Sequence, residues 1–485
     1  MADIQSLLTS SPGTKNLNYP TDYNLVYLTL ATSLSGTPVV DLMPLLLEFN
    51  VYEDIYSSTM SGEVVISDSL GIASKYFLNG SEFLYVKFSK TSQSTHYFTG
   101  CFRIYKMGKR VVSDSNTSEV YSLKFCSEEF ILSEQYRLSK SYKGKMISDI
   151  VTDVLKTYIG VGGKNTKQFF VQSTSGVYDF ILPNKKLFES INWLSNYAIP
   201  ADSQIPGDVV FYENQFGYFF TSLRTLFSTQ VYNQYSYDPK NILTKDMNQM
   251  LVNVSDFEVL NYFDVLGGIT NGTFTNKLIT FDPLLRTVNT SNVAFNYAQY
   301  FNNSAVTKLN SGPITTNYKN RFGASMYDPA PAKIGLETAC LRMAASNFQE
   351  KKNSYVAQAP DSVANDISVE KYIPNRAGQL SLVNYLRIKV SIPGDPAISV
   401  GRVIHFSMFT MDPSSVYSNG GDNKNRPTDP MYTGNYIVTA VRHIINPSTY
   451  ITVLELCKES NSTQLPGFDS SNPIIQSSVN GVVPT

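Results

Sequence analysis

Leu47 to Ile72, LEFNVYEDIYSSTMSGEVVISDSLGI, is the stretch whose reading decides the fold of this chain. Phe49, Val51 and Ile55 fall on one pleat face and Val64 and Ile66 on another, as strands buried on one side require. The first strand ends in an acidic pair, Glu53 and Asp54, and the second in Asp68. The stretch reads as two strands joined across a polar bend.

The same alternation continues on either side. Leu84, Val86 and Phe88 alternate with Tyr85 and Lys87, and Tyr121, Leu123 and Phe125 with Ser122 and Lys124. With the run from Cys101 to Lys106, residues 1–130 predict an antiparallel β-barrel preceded by an N-terminal arm. The period then changes to that of a helix. Met146, Ile147, Ile150, Val151, Val154, Leu155 and Tyr158 recur at helical spacing up to a stop at Gly160, and Leu187, Ile191, Leu194 and Ala198 repeat the pattern after Pro183. Strand-like pieces at Val209 to Tyr212 and Tyr218 to Thr221 complete an α+β domain over 131–240.

Strand signals return at Leu251 to Val259, and Ile269 to Phe281 reads as a hairpin about Gly272. Leu386, Ile388, Val390 and Ile392 then alternate with Arg387, Lys389 and Ser391 before the turn Pro393-Gly394-Asp395, and strands follow at Val400 to Phe406, Tyr436 to Ile444 and Tyr450 to Cys457. A second barrel is predicted over 241–286 and 376–458. It is split by an insertion, 287–375, that is rich in Asn and Ser. Within that insertion Leu336 to Phe348 reads as a helix, followed by a polar connection with Pro360 and Pro374. Met411 to Met431 is a loop by composition, and 459–485 an extended tail. The fold class is mainly β with α+β insertions.

With 485 residues, 42% of them hydrophobic and 16% charged, the chain has material for several cores and belongs with folded proteins, not disordered ones. Its 39 Lys and Arg against 40 Asp and Glu argue against a broad phosphate-binding surface, whose affinity comes from clustered positive charge. The start, MADIQSLLTSSPGTKN, lacks the basic and apolar run of a secretory signal. No apolar run approaches the roughly 20 residues that span a bilayer, so no membrane anchor is expected. Cys101, Cys126, Cys340 and Cys457 form no CxxC pair and read as free thiols of a reducing compartment.

Chemistry is sparsely signalled. His96, His405 and His443 are far apart and beside strands, without metal-ligand spacing. Gly160-Val161-Gly162-Gly163-Lys164 departs from a phosphate loop, because Tyr158 stands at the first glycine, Asn165 replaces the Ser or Thr, and a helix precedes it. The pairs Glu53 with Asp54 and Glu128 with Glu129, read as lying on strands, send their carboxylates to opposite faces. Neither converges as a general acid and base would. Trp193 reads as packing beside the apolar face of its helix. No catalytic, cofactor-binding or metal-binding residue is assigned, and no enzyme activity is expected. The 32 Tyr and 28 Phe suit interfaces, since aromatics bury large area at low rotamer cost.

Three passages carry a family resemblance. VYEDI (51–55) followed by SGEVVISDSLG (61–71), NYLRIKVSIPGDPAISVGRVIHFSM (Asn384 to Met408) and YTGNYIVTAVRHIINPSTYITVLELCKE (Tyr432 to Glu459) resemble the baseplate central hub proteins of contractile-tailed bacteriophages, related to the hub part of secretion-system spike proteins. In that family a Pro-Gly turn ends one strand, a Val-Gly pair starts the next, here Val400 and Gly401, and a G-x-Y-x-V-x-x-V-x-H strand pairs with the last. Those positions are Gly434, Tyr436, Val438, Val441 and His443.

The resemblance implies two tail-tube-like barrels per chain and a homotrimer forming a pseudo-sixfold ring. Such a ring joins the tail tube, or tube-initiator proteins, to a separate central spike protein and contacts baseplate wedge proteins. DNA passes through its channel without specific binding. It places the protein in the virion tail baseplate, assembled in the host cytoplasm. A receptor- or glycan-binding tail protein, or a component of a bacterial contractile injection system, remains the alternative.

Overall fold

A computed structural model describes residues 19–31, 40–76, 78–90, 96–112, 118–163, 167–202, 207–238, 246–262, 264–273, 275–282, 286–294, 309–310, 340–345, 369–410 and 428–460. The first part is almost entirely strand. It comprises β1 (Asn24–Ala31), β2 (Val40–Asp41), β3 (Leu46–Asp54), β4 (Ser61–Asp68), a single helical turn α1 (Ile72–Lys75), β5 (Phe83–Ser89), β6 (Tyr97–Met107), β7 (Val111–Val112) and β8 (Glu119–Ser127). The alternating residues Phe49, Val51, Val64, Ile66, Leu84, Val86, Phe88, Tyr121, Leu123 and Phe125 all bury in one core. Each fully buried aliphatic or aromatic side chain there contributes about 1.5–3 kcal/mol. Gly62 of β4 is required by packing: a Cβ there would sit 2.3 Å from the Asn50 carbonyl oxygen and 2.2 Å from the Phe125 ring.

Next come α2 (Glu128–Gln135), β9 (Arg137–Lys145), α3 (Ile147–Asp153), whose last turn widens into a π-helix over Val154–Ile159, β10 (Gln168–Val171), β11 (Tyr178–Lys186), α4 (Leu187–Ser195), β12 (Val209–Asn214), β13 (Gly217–Ser222) and α5 (Leu223–Phe227). Gly160, at φ 80°, ends the π turn in the left-handed conformation that glycine adopts without penalty. β9 pairs with β11, and β10 with β13 and β13 with β12. Every residue of β12 and β13 is buried. Alternation explains this, since Val209 and Phe211 enter the core of this α+β unit while Val210 and Tyr212 enter the core of the second β half.

The remainder holds β14 (Val231–Tyr237), α6 (Met247–Leu251), β15 (Asp256–Asn261), α7 (Val265–Thr270), β16 (Thr275–Asp282), β17 (Thr287–Ala294), β18 (Leu341–Ala345), α8 (Val369–Val383), β19 (Leu386–Pro393), β20 (Val403–Met408), β21 (Gly434–Asn446) and β22 (Thr449–Lys458). The two β halves are not separate sheets. One 14-stranded sheet runs β15-β19-β22-β21-β3-β4-β8-β6-β5-β1-β2, with β20 and β14 branching from β21 and β7 from β8. β3 and β21 make the seam, antiparallel from Phe49↔Ile445 to Asp54↔Ala440.

The long β21–β22 hairpin serves both cores. Tyr436, Val438, Val441, Leu454 and Leu456 pack in the second, and Ile445 and Tyr450 reach the first. A register shift between Val438 and Ala440 puts Val441, three residues on, back on the face of Val438. That is the physical content of the V-x-x-V spacing. The chain crosses likewise along β3, with Phe49 and Val51 in the first core and Ile55, the residue just after the strand, in the second. Among the described residues no helix is long and apolar enough to cross a membrane.

Several expectations are corrected. Leu341–Ala345, expected in a helix over Leu336 to Phe348, is a strand pairing parallel with β16; the sheet overrides the helix preference of Leu, Met and Ala. Ile269 to Phe281 is no hairpin, because Asp264 caps α7 by accepting from the Gly267 amide and Gly272 turns the chain into β16. The 241–286 block is divided, since β16 leaves the main sheet to pair with β17 and β18 of the insertion. The strand expected from Leu251 begins only at Asp256, after α6. The boundary at 376 falls inside α8, which runs through Pro374. β14, placed within 131–240, pairs parallel with β20 of the main sheet. Expectations for the N-terminal arm, most of 287–375, most of the Met411 to Met431 loop and all but the first residues of the tail lie outside the described residues.

Candidate functional site

The outward face of the shared sheet is the first candidate. Residues opposite the buried ones come to a polar surface, where charges of opposite sign sit side by side. Lys389 Nζ lies 3.0 Å from Glu258, Arg387 pairs with Glu455, Arg442 Nη2 lies 3.3 Å from Glu48 while its Nε donates to Asn50 at 2.9 Å, and Glu63 stands opposite Lys124 in register. The eight charged side chains are all partly or fully exposed, so each pair adds only about 0–1 kcal/mol. Acids thus stand beside bases in both β halves of this face, while Lys106 stands opposite Lys124 and Lys87 lies over the Tyr97 ring.

Behind that face the seam is polar. Glu53, inward on β3 between the two cores and 1% exposed, accepts from the amides of Gln215 and Val400 at 3.0 Å each. It thereby ties the first half to the β12–β13 turn and to the loop before β20. Burial pushes its carboxyl up to about 8 against those two hydrogen bonds, with Glu213 adding and Arg402 opposing. Gly401 beside it has φ 85°, and a Cβ there would meet the Tyr212 hydroxyl at 2.3 Å.

Asp395, from the Pro-Gly-Asp turn, accepts from the Tyr232 hydroxyl at 2.8 Å and the Ala397 amide at 3.0 Å. The buried Arg402 guanidinium lies 4.3 Å over the Tyr232 ring. Lys90, from the first half, donates to the Gly394 carbonyl at 2.5 Å, and burial lowers it to about 8.

A second buried cluster fastens the α+β unit to the first β half. Glu213 of β12 accepts from the Met60 amide at 2.9 Å and the Ser127 hydroxyl at 2.7 Å through one oxygen, and from Lys167 through the other. Lys167 also donates to Glu129 at 3.0 Å. Burial presses the Lys167 ammonium down, but the two carboxylates prevail and hold it up to about 12. Glu213 sits at the end of the apolar run Val209 to Tyr212. A carboxylate closing so apolar a run was the signal available in the sequence, and the sequence reading missed it.

The structure separates the residues singled out in the sequence. Glu53 is buried and Asp54 exposed, as alternation requires. Glu128 and Glu129 are instead the first turn of α2, because the chain leaves β8 at Ser127. His405 Nδ1 is 2.9 Å from Asn435 Oδ1. His443 is fully buried, 2.8 Å by Nδ1 from the Tyr450 hydroxyl and flanked by Phe88 and Phe98. Trp193 packs edge-on to Phe180 and Tyr197. Cys126 and Cys457 are buried free thiols, and Cys101 and Cys340 are half-buried ones. Among the described residues no three His, Cys, Asp or Glu are placed to hold a metal ion.

Burial holds His443 down at about 3, against 6.5 for a free imidazole. An unfolded chain therefore binds a proton below pH 6.5 that the folded chain refuses, and stability falls as pH drops from 6.5 towards 3. His443→Phe is expected to cost about 1–2 kcal/mol at pH 7, by removing a partner of the Tyr450 hydroxyl. Its deficit against the parent should shrink by pH 5. Thermal unfolding at the two pH values checks this, and a constant deficit would refute it.

No family model and no curated protein matches the sequence. Among solved structures, the chain is similar to a tail protein from Neisseria meningitidis MC58 (TM-score 0.46, 10% identity, covering 90% of this chain and 97% of that one). It is also similar to the 43 kDa tail protein of prophage MuSo2 from Shewanella oneidensis (0.48, 8%, 89% and 98%) and to the prophage tail protein gp18 from Listeria monocytogenes EGD-e (0.39, 9%, 94% and 99%).

Proposed function

We propose that the chain is a structural tail protein of a contractile-tailed bacteriophage, the central hub of the baseplate, with no catalytic role. Three copies form a ring in which each chain supplies two β halves, so a threefold assembly presents six similar units. One side meets the sixfold tail tube and the other a separate central spike. The observation that carries this reading is the single sheet joining both halves through β3 and the β21–β22 hairpin. A seam so built makes the two halves one rigid sector of a wall.

The outward face of that sheet, where acids stand beside bases in both halves, suits a channel for DNA. Unpaired cations there would hold phosphates through counterion release, and unpaired anions would repel them. Among the described residues the path of the sheet ends at β15 and β2, whose edges are the groups a neighbouring copy would cover on closing the ring. The sequence resemblance in VYEDI (51–55) and in Tyr432 to Glu459 falls on β3 and the β21–β22 hairpin that build the seam, and that in Asn384 to Met408 on β19 and β20 beside them.

Light scattering on a sizing column followed by negative-stain imaging tests the reading, with candidate spike and tube proteins added if the chain alone is monomeric. A threefold ring with a central channel is expected. A chain that stays monomeric with both partners present, and that binds glycan, would overturn it.

A further inference from the structure

An open cleft of about 630 Å³ lies between α8, the insertion sheet and the end of α4. One wall is the face of α8 from Ile373 to Ser381, whose lining positions follow i, i+3, i+4, i+7 and i+8, so two turns of one helix form a straight groove. Ile373 and Leu380 make that wall apolar. Arg376 from the same wall and Arg342 from β18 enter the cleft, and among the described residues no carboxylate lines it. Arg342 donates one Nη2 bond to the Asn271 carbonyl at 3.0 Å, while its Nε is buried with no hydrogen-bond partner. Arg376 donates through Nη1 to the carbonyls of Gly207 and Val209 at 3.1 and 3.0 Å. The acid nearest in sequence to those carbonyls, Asp208, is bonded to Arg224 at 2.7 Å.

We propose that this cleft receives carboxylate side chains from an extended acidic segment of a partner protein. Arg342 has no carboxylate beside it among the described residues, and Arg376 shares the single charge of Asp208 with Arg224, so the cleft carries guanidinium charge in excess, which matches carboxylates. The apolar wall covers the aliphatic stems of such side chains. The cleft is an open groove, whereas small-molecule sites enclose most of their ligand's surface; a segment lying along α8 fills it and a compact molecule does not. The proposal stands on the cleft alone and does not depend on ring assembly.

Fluorescence anisotropy of a labelled, end-capped Leu-Glu-Leu-Glu-Leu-Glu peptide against the full chain tests it, with the Leu-Lys repeat as the control. The Glu peptide is expected to bind and the Lys peptide not. Arg342→Gln should weaken binding about tenfold or more, as the loss of a charge-assisted bond implies, and high salt should weaken it as well. Ser381→Trp, at an exposed position, should block the groove. Thermal unfolding of both variants establishes that they fold. The proposal is overturned by equal binding of both peptides, by no binding, by Glu-peptide binding that neither substitution changes, or by free glutarate competing as well as the peptide, which would mark a small-anion site.

Discussion

Glu213→Ala is expected to destabilise the protein by about 3–5 kcal/mol, the loss typical of removing one member of a buried ion pair. The carboxylate has no exposed surface on its side chain, and three donors converge on it, Lys167, the Met60 amide and the Ser127 hydroxyl. Deleting it strands two buried donors and leaves Lys167 with Glu129 alone. Because Met60 and Ser127 belong to the first β half and Glu213 to the α+β unit, the loss falls on the joint between them. The protection of the Met60 amide against hydrogen exchange should drop together with the thermal transition. Glu213→Leu combined with Lys167→Met should lose less than the two single changes summed, since apolar replacement of a whole buried pair removes the desolvation cost. Single-variant losses below about 0.5 kcal/mol, the size of an ordinary surface change, would show that the cluster does not hold this joint.

The strands were legible where one face is buried and the other is not. β3, β4, β5, β8 and β19 carry their cores at every second residue, and period-two patterning is the strongest signal a half-buried strand emits. The seam was not legible as such. Nothing in the alternation of β3 or β21 says which strand lies beside it, although the V-x-x-V irregularity marks the bulge that lets one strand serve two cores. β18 was misread because Leu, Arg, Met and Ala favour helices and its strand state rests on a partner more than 60 residues away in sequence. The charged groups of the seam were hidden for a related reason. Glu53 was visible as an acid at a strand end, but its donors come from Gln215 and Val400, and only the folded chain brings the three together.

Glu53 is expected to cost the protein about 2 kcal/mol of stability between pH 6.5 and 8 that Glu53→Gln does not lose. Burial, the largest influence on Glu53, raises its carboxyl from 4.5 to about 8. Between those values the unfolded chain has released a proton that the folded chain keeps, so stability declines as pH rises and the decline is complete above about 8. His443 acts in the opposite sense below 6.5, so the two slopes offset each other between 4.5 and 6.5. Lys90 and Lys458, both lowered by burial from 10.5 to about 8, begin to lose protons in the folded chain near pH 7 while the unfolded chain keeps them, so in parent and variant alike they oppose the Glu53 slope as pH approaches 8. Those contributions are common to both proteins, so the difference between parent and Glu53→Gln from 6.5 to 8 belongs to Glu53, at about 1.4 kcal/mol per pH unit. Glutamine cannot ionise, and its amide must set an NH2 against one of the two backbone donors at a cost of about 1–3 kcal/mol that does not vary with pH. The gap between parent and variant should then narrow by about 2 kcal/mol across the interval. Parallel stability curves for the two proteins from pH 6.5 to 8 would mean that the proton is held elsewhere and that the seam does not keep Glu53 neutral.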